Sequence, residues 1–199
     1  MMTFLKLISC IALCCIVSWR LSAQPVMPQI AGPGDSIGMY RIAIDLDTLH
    51  FTGLLLFIER SDSTWRVVMN ADMGPKLLDM DISSSGFKTR YAFPGLNHRK
   101  TLKTLFEDFR ALTGILTWKK ECMAENNPGS MVLTCHPDRK TKVFYSSSSS
   151  MQPISSGTIE VDSRVVSEFQ YSFVPGTHKV STMKMRHLNF RMNITLNRL

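Results

Sequence analysis

The stretch 102–112, LKTLFEDFRAL, is the place where the hydrophobic period of the chain changes. Its large apolar residues follow one another at spacings of 3, 1, 3 and 3, at Leu102, Leu105, Phe106, Phe109 and Leu112. This spacing places them along one stripe of an amphipathic α-helix. We therefore predict a helix over residues 98–113, and the sequence indicates no other long helix.

On both sides of this stretch, apolar and polar residues alternate with a period of two. Every second residue is apolar in residues 40–46, and the same holds in residues 190–196. Such alternation predicts strands with one buried face, and frequent turn signals between the runs favour antiparallel pairing. About ten strands follow from this pattern. Because strands and helices do not alternate, a parallel nucleotide-binding sheet is excluded.

The predicted fold class is α+β, mainly antiparallel β. We expect a strongly curved sheet, or half-barrel, of about ten strands, with the amphipathic helix covering its concave face. The interior would hold an apolar ligand such as an acyl chain, or it would be an ordinary filled core, and the sequence leaves both open. The residues predicted to contact a ligand are Phe51, Leu55, Phe57, Trp65, Phe87, Tyr91, Leu105, Phe106, Phe109, Phe169, Tyr171 and Phe173.

The N-terminus has the residue pattern of a secretory signal peptide. Lys6 precedes an apolar run that ends near Ser18, and a small residue at Ala23 suits cleavage, so we predict a signal peptide at residues 1–23. A flexible leader at residues 24–35 and a single sheet domain at residues 36–199 follow. The cysteine that bacterial lipoproteins acylate is missing from its expected place, where Trp19 stands, so cleavage, lipidation and retention all stay open.

Cys122 and Cys135 are the two cysteines that remain after signal removal. The turn sequence Asn126–Gly129 lies midway between them, and a hairpin there would bring the two side chains opposite each other. In an oxidising compartment this pair is a disulfide candidate, and two buried free thiols are the alternative.

The formal net charge of the chain is +7, and its surplus is concentrated near the C-terminus. No acidic residue follows Glu168, whereas five basic residues do. Such a one-sign patch attracts anionic membrane surfaces, although a basic edge that discourages strand pairing has the same composition. The candidate residues are Lys179, Lys184, Arg186, Arg191 and Arg198. Nucleic acid is not an expected partner of an exported protein.

Motifs of catalysis and cofactor binding are missing from the sequence. There is no phosphate-binding glycine loop and no nucleophile elbow, so we predict no enzyme activity and no cofactor. The histidines lack metal-ligand spacing, so we predict no metal site and interpret each histidine as a surface or strand-edge residue. These are His50, His98, His136, His178 and His187.

Three segments carry a resemblance to a known group of proteins. They are Phe51-Thr52-Gly53-Leu54-Leu55-Leu56-Phe57, Trp65-Arg66-Val67-Val68-Met69 and Gly74-Pro75-Lys76-Leu77-Leu78-Asp79. With the helix and the final Ile194-Thr195-Leu196, they resemble small secreted proteins and lipoproteins of Gram-negative bacteria that are similar to the lipoprotein carriers LolA and LolB. The resemblance implies a curved antiparallel sheet with a helical lid that holds acyl chains, and it implies no catalytic residue.

Together these features predict a non-enzymatic protein of the periplasm or outer membrane. The expected partner is a lipid or a lipoprotein acyl chain, bound in an apolar half-barrel. The alternative is a structural or adaptor protein of the cell envelope, with a filled core and a protein or anionic-surface partner. The oligomeric state does not follow from the sequence.

Overall fold

The computed structural model describes residues 26–31, 36–60, 64–72, 74–118, 122–149 and 151–199. The predicted signal peptide, residues 1–23, lies outside these ranges. No helix within them combines the length and the apolar character that a membrane span requires.

Twelve strands form within the described residues, two more than the sequence predicted. The first five are β1 (Ile37–Leu46), β2 (Leu49–Glu59), β3 (Trp65–Ala71), β4 (Lys76–Ile82) and β5 (Phe87–Ala92). The other seven are β6 (Cys122–Asn127), β7 (Ser130–Cys135), β8 (Thr141–Ser147), β9 (Ser156–Val161), β10 (Arg164–Phe173), β11 (Val180–His187) and β12 (Met192–Arg198).

All twelve strands belong to one open, antiparallel sheet in the order β5-β4-β3-β2-β1-β12-β11-β10-β9-β8-β7-β6. We call β1–β5 the N-terminal half and β6–β12 the C-terminal half of the sheet. The halves join where β1 pairs with β12, with Tyr40 opposite Arg198 and Leu46 opposite Met192. The edges are β5 and β6, and these strands are consecutive in the chain. The segment between them therefore has to cross a face of the sheet.

That crossing segment contains the helix α1 (Arg99–Leu112) and a short 3₁₀ helix at Ile115–Trp118. The helix is one residue shorter at each end than predicted. His98 occupies the N-cap position without a side-chain hydrogen bond, and Thr113 occupies the C-cap position. Gly114, with φ of 66°, then takes the left-handed conformation that commonly ends a helix.

A single hydrophobic core joins α1 to one face of the sheet. The alternation predicted for β1 is present, since Tyr40, Ile42 and Ile44 are buried whereas Arg41 and Asp45 are exposed. The same face of β2 buries Leu55 and Phe57. We call this face the inner face of the sheet, and the opposite one the outer face.

The described part of the predicted leader is attached to the sheet, which differs from the flexible segment expected at residues 24–35. Gln29 N–H donates to His178 O, and Gln29 O accepts from Val180 N–H. Ile30 is buried, and its carbonyl oxygen accepts a 2.8 Å hydrogen bond from Tyr40 Oη. These backbone bonds form at Gln29 although the preceding residue, Pro28, has no N–H to donate.

Candidate functional site

The helix α1 meets the N-terminal half of the sheet through aromatic rings. Phe109 packs edge-to-face on Phe57 with 5.8 Å between ring centroids, and Phe106 lies 4.9 Å from Phe87. Edge-to-face pairs of this kind add stabilisation beyond their buried area. The contact is apolar, so it depends on shape and burial and carries little directional specificity.

The same helix meets the C-terminal half through hydrogen bonds. Tyr145 Oη donates to Ala111 O at 3.1 Å, and Tyr171 Oη donates to Leu112 O at 2.9 Å. The last carbonyl groups of a helix have no partner within the helix, so the two hydroxyls satisfy groups that the fold buries. Burial raises the pKa of Tyr145 and of Tyr171, so both remain hydrogen-bond donors.

A buried hydrogen bond between an aspartate and a histidine is a further polar link between α1 and the C-terminal half. Asp108 Oδ2 lies 3.0 Å from His187 Nε2, and both side chains are almost fully buried. Burial raises the pKa of Asp108, and the hydrogen bond from His187 opposes that increase. The His187 ring also stacks on Phe190, with 4.5 Å between centroids. The interpretation of His187 as a surface or strand-edge residue is therefore wrong.

Ser167 lies beside this pair. It is the register partner of His187 in the antiparallel ladder of β10 and β11, so the two side chains emerge on the same face. Ser167 is 1% exposed, and its Oγ has no hydrogen-bond partner among the described residues. An unsatisfied buried hydroxyl costs free energy, which makes this position unusual in a well-packed core.

A cavity of about 350 Å³ opens at these residues. It lies between the first turns of α1 and the strands β8–β11. Ser167, Asp108 and His187 line it together with the apolar side chains Ile159, Val161, Val166 and Phe190. The volume is at the lower end of the range of small-molecule sites, and the mixture of apolar walls with a few polar groups is typical of them.

The outer part of the cavity carries charged side chains from α1. Lys100 and Lys103 are exposed there, and Glu107 is directed towards Arg110, with which it forms an ion pair. Burial raises the pKa of Glu107, although Arg110 opposes the increase. The charges near this rim are Lys100, Lys103 and Arg110 against Glu107 and Asp138, so the rim carries a small positive surplus.

The residues predicted to contact a ligand lie mainly in the core and not along this cavity. Phe87 is partly exposed against Phe106, and Phe51 and Phe173 pack at the edge of the core. The buried members of the predicted set are Leu55, Phe57, Trp65, Leu105, Phe106, Phe109, Phe169 and Tyr171.

The prediction of a ligand contact is wrong for Tyr91. The sequence alternation placed Tyr91 on the same face as Phe87, but an irregularity in the pairing of β4 with β5 shifts the register at Asp79. Phe87 lies opposite the buried Ile82, whereas Tyr91 lies opposite Asp79, which belongs to the outer face. A one-residue shift exchanges the two faces of a strand, so Tyr91 is exposed on the outer face.

Asp79 is a second buried carboxylate with a different environment. Arg66 binds both of its oxygens, at 2.9 and 2.8 Å, and Lys76 Nζ lies 2.8 Å from Oδ2. The hydrogen bond from Arg66 is the main cause that lowers the pKa of Asp79 to about 2, against the opposing effect of burial. Asp79 is therefore an anchored structural anion.

The basic residues near the C-terminus differ in their contacts. Arg186 forms an ion pair with Glu168, and Arg198 donates to Ile30 O at 3.0 Å while lying over the Tyr40 ring. Within the described ranges, Lys179, Lys184 and Arg191 have no side-chain ion pair. The positive patch is consequently smaller than the sequence suggests.

Cys122 and Cys135 are joined by a disulfide across the β6–β7 hairpin. They are direct register partners, with 4.2 Å between their Cα atoms. A bridge that closes a loop of this size constrains the unfolded chain and is worth ~3 kcal/mol. β6 is an edge strand with mostly exposed residues, so the bridge holds in place a strand that packing alone would hold weakly.

The polar cluster at Asp108, Ser167 and His187 was not predicted as a site. A signal for it was nevertheless present in the strand periods. Ser167 shares the period of Phe169 and Tyr171, and His187 shares that of Met183 and Met185, so each polar residue stands where a core residue is expected. A polar residue on a core face requires a partner, and this requirement would have singled out both positions.

The fold defined by this sheet and its crossing helix is LolA-like. No family model matches the chain, and no curated protein matches it in sequence. The likeness comes from solved structures.

One of these structures is a proposed outer membrane lipoprotein-sorting protein domain from Vibrio parahaemolyticus, at 12% identity and a TM-score of 0.50. The match covers 82% of this chain and 83% of that chain. Another is a LolA superfamily protein from Nitrosomonas europaea, at 12% identity and a TM-score of 0.50, with 86% and 87% covered. At this identity the likeness shows the fold, and what the chain binds has to be argued from its own residues.

Proposed function

We propose that this chain is an exported, non-enzymatic protein of the periplasm or outer membrane that binds an acyl chain of a lipid or lipoprotein. The proposed site lies between α1 and the inner face, which we take as the concave face of a half-barrel. The observation that carries the proposal is the contact between the apolar stripe of α1 and an aromatic sheet face within a LolA-like fold. The cavity beside α1 supports it, because it provides a place for a chain to enter.

The free energy that holds α1 on the sheet is similar to the free energy that an acyl chain would gain in its place. Five large apolar side chains of the helix are buried, and at ~2 kcal/mol each their burial is worth roughly 10 kcal/mol. An acyl chain of roughly 14 methylenes gains ~0.8 kcal/mol per methylene, or roughly 11 kcal/mol. Because the two quantities are similar, an acyl chain can replace the helix contacts at little net cost. The proposed contact residues are Phe51, Leu55, Phe57, Trp65, Phe87, Leu105, Phe106, Phe109, Phe169, Tyr171 and Phe173.

The basic residues would bring the protein to an anionic membrane surface. Of the five predicted, Lys179, Lys184 and Arg191 are the ones that we propose contact lipid headgroups. Arg186 and Arg198 already have partners within the protein. Surface lysines and arginines of this kind contribute ~1 kcal/mol each near an anionic leaflet.

Native mass spectrometry tests the acyl-chain proposal. The protein would be exported to the periplasm of a Gram-negative host, purified without detergent and sprayed intact. We expect a population whose added mass equals one acyl lipid or lipoprotein fragment, and organic extraction should release that molecule. A uniformly lipid-free protein would contradict the proposal.

A pair of matched variants locates the bound chain. Phe106→Asp places a charge on the buried stripe of α1, whereas Phe93→Asp makes the same change at a partly exposed residue before the helix. We expect the first variant to lose the co-purified lipid and the second to retain it. Circular dichroism of both variants checks that the sheet is intact, and equal lipid content in two folded variants would refute the helix-covered site.

A structural or adaptor role is the second candidate, and one observation favours it. Eight of the residues predicted to contact a ligand are already buried against one another. A core that stays filled would leave no room for an acyl chain and would make the basic surface the working part of the protein. In that case mass spectrometry would find no lipid, and replacing Lys184 and Arg191 by Glu would abolish binding to anionic vesicles.

A further inference from the structure

The cavity at Ser167 and His187 contains hydrogen-bond donors that lack an acceptor. Ser167 Oγ has no partner among the described residues although Ser167 is buried. His187 uses Nε2 towards Asp108, and Nδ1 has no hydrogen bond within the described ranges. Both residues line the same cavity. A ligand that presents oxygen acceptors would satisfy them.

The positions of the protons on Asp108 and His187 determine whether Nδ1 of His187 donates or accepts a hydrogen bond. Burial disfavours a net charge on Asp108 and His187 taken together. A neutral pair consists of a protonated Asp108 with a neutral imidazole, or of a carboxylate with an imidazolium. Nδ1 carries a hydrogen if Asp108 Oδ2 donates to Nε2, and it also does so if the ring is an imidazolium. His187 is then a donor at a residue that lines the cavity, and Ser167, its register partner, is a second one.

The charge around the cavity favours an anion. Asp108 is already paired with His187, and Glu107 and the nearby Asp138 share Arg110. The remaining charged groups that line the cavity are Lys100 and Lys103, both exposed at the rim. They attract an anionic ligand and repel a cationic one.

The size and the walls of the cavity limit the ligand further. At the ~30 Å³ that a water-sized atom occupies in a liquid, about 350 Å³ accommodates roughly a dozen non-hydrogen atoms. Ile159, Val161 and Val166 make the walls apolar, and Phe190 covers the side next to His187. A single unbranched chain with a small head group fits these dimensions, whereas a phospholipid with two chains does not.

We propose that this cavity binds a single-chain fatty acid of about ten carbons, with its carboxylate oxygens accepting hydrogen bonds from Ser167 Oγ and His187 Nδ1. This inference rests on the proposed function. It specifies that the ligand carries a free carboxylate, which binds at one end of the site. The chain lies along the apolar walls, and the rim lysines draw the anion in.

Calorimetric titration with decanoate tests the inference, and decan-1-ol serves as a ligand with the same chain and no charge. Decanoate should bind at least tenfold more tightly than the alcohol, because charge-assisted hydrogen bonds are the strong ones. Ser167→Ala should weaken decanoate binding by about tenfold or more. The matched control is Ser172→Ala, at an exposed serine of the same strand, and it should leave the affinity unchanged.

The Tm of the Ser167→Ala variant is a second readout. A structural role for the Ser167 hydroxyl predicts the opposite change in Tm from the one that we expect. Removing an unsatisfied buried hydroxyl should raise the Tm of the ligand-free protein by ~2–4 °C. A lowered Tm would mean that the hydroxyl has a structural partner, and it would overturn the inference.

The binding data separate this inference from the proposed function. Equal affinity for decanoate and decan-1-ol, or full decanoate binding by Ser167→Ala, overturns the carboxylate site and leaves acyl-chain binding standing. If the protein co-purifies with a long-chain lipid but does not bind decanoate, the carboxylate site is also overturned and acyl-chain binding still stands. Absence of both decanoate binding and co-purified lipid overturns the two proposals together.

Discussion

The two halves of the sheet hold the same helix by different physical means. The N-terminal half offers aromatic rings, with Phe57 under Phe109 and Phe87 beside Phe106. The C-terminal half offers hydroxyls and an imidazole, at Tyr145, Tyr171 and His187. An apolar contact can be exchanged for another apolar surface, such as an acyl chain, whereas a hydrogen bond requires a specific partner in a specific place. The difference indicates that α1 separates more readily from the N-terminal half, while the hydrogen bonds of the C-terminal half hold the helix beside the cavity.

The largest expected effect concerns the apolar contact. Phe109 is fully buried, and Phe109→Ala should lower the free energy of unfolding by ~3–5 kcal/mol, because the lost burial and the new cavity add up. Urea unfolding followed by circular dichroism measures the change. Met151→Ala, at a residue that is 84% exposed, is the control and should change it by less than ~0.5 kcal/mol. A loss below ~1 kcal/mol at Phe109 would mean that the ring contact does not hold the helix.

The buried pair should come next in size. Asp108→Ala leaves His187 without its partner in a buried place and should cost ~3 kcal/mol. His187→Ala should cost a similar amount, and the double variant should cost clearly less than the sum, since each single change already breaks the pair. Urea unfolding of the four proteins completes the cycle. Additive effects would show that Asp108 and His187 are not coupled. They would contradict the claim that polar contacts hold α1 on the C-terminal half.

The two buried carboxylates should respond to pH in opposite ways, and Asp79 gives the clearer signal. Its pKa of about 2 lies below the ordinary value of 3.8, so its stabilising effect is complete above about pH 4 and is lost as the pH falls towards 2. The expected loss is ~2 kcal/mol. Urea unfolding at pH 5, 3 and 2 measures it, and Asp79→Asn should remove this part of the acid sensitivity. The same acid loss in the variant would show that Arg66 and Lys76 do not hold the anion.

The smallest effect concerns the tyrosine hydroxyl on the helix end. Tyr171→Phe removes the donor to Leu112 O and should lower the free energy of unfolding by ~1 kcal/mol. Amide hydrogen exchange in the last turn of α1 should increase, while exchange in β1 and β2 should not change. Unaltered exchange in that turn would mean that the hydroxyl does not fix the helix.

The sequence predicted those parts of the fold that local periodicity controls. The spacing of Leu102, Leu105, Phe106, Phe109 and Leu112 located the helix to within one residue at each end. Alternation identified the strands and the antiparallel pairing. The face of Tyr91 was mispredicted, because a register irregularity between β4 and β5 is a property of the pair and leaves no mark in the alternation of either strand.

Spacing marks Ser167 and His187 as polar residues on core faces, but it does not show that they meet each other and Asp108. The three residues come from β10, β11 and α1, and 79 positions separate Asp108 from His187. Only the path of the chain from the edge strand β5 to the edge strand β6 brings α1 over β10 and β11. The attachment of Gln29 and Ile30 was missed for the same reason, since their partners at His178, Val180 and Tyr40 are supplied by the folded sheet.

Quenching of Trp65 fluorescence by brominated acyl chains tests the central claim most directly. The tryptophans of the chain are Trp19, Trp65 and Trp118, so Trp118→Phe in the signal-free protein leaves Trp65 as the only emitter. Trp65 is buried on the inner face, 6.3 Å from the Phe57 ring. If an acyl chain replaces the contacts of α1, lipids brominated along the chain should quench Trp65 and their unbrominated counterparts should not. Equal emission with the two lipids, in a protein shown to carry them, would contradict an acyl chain on the inner face.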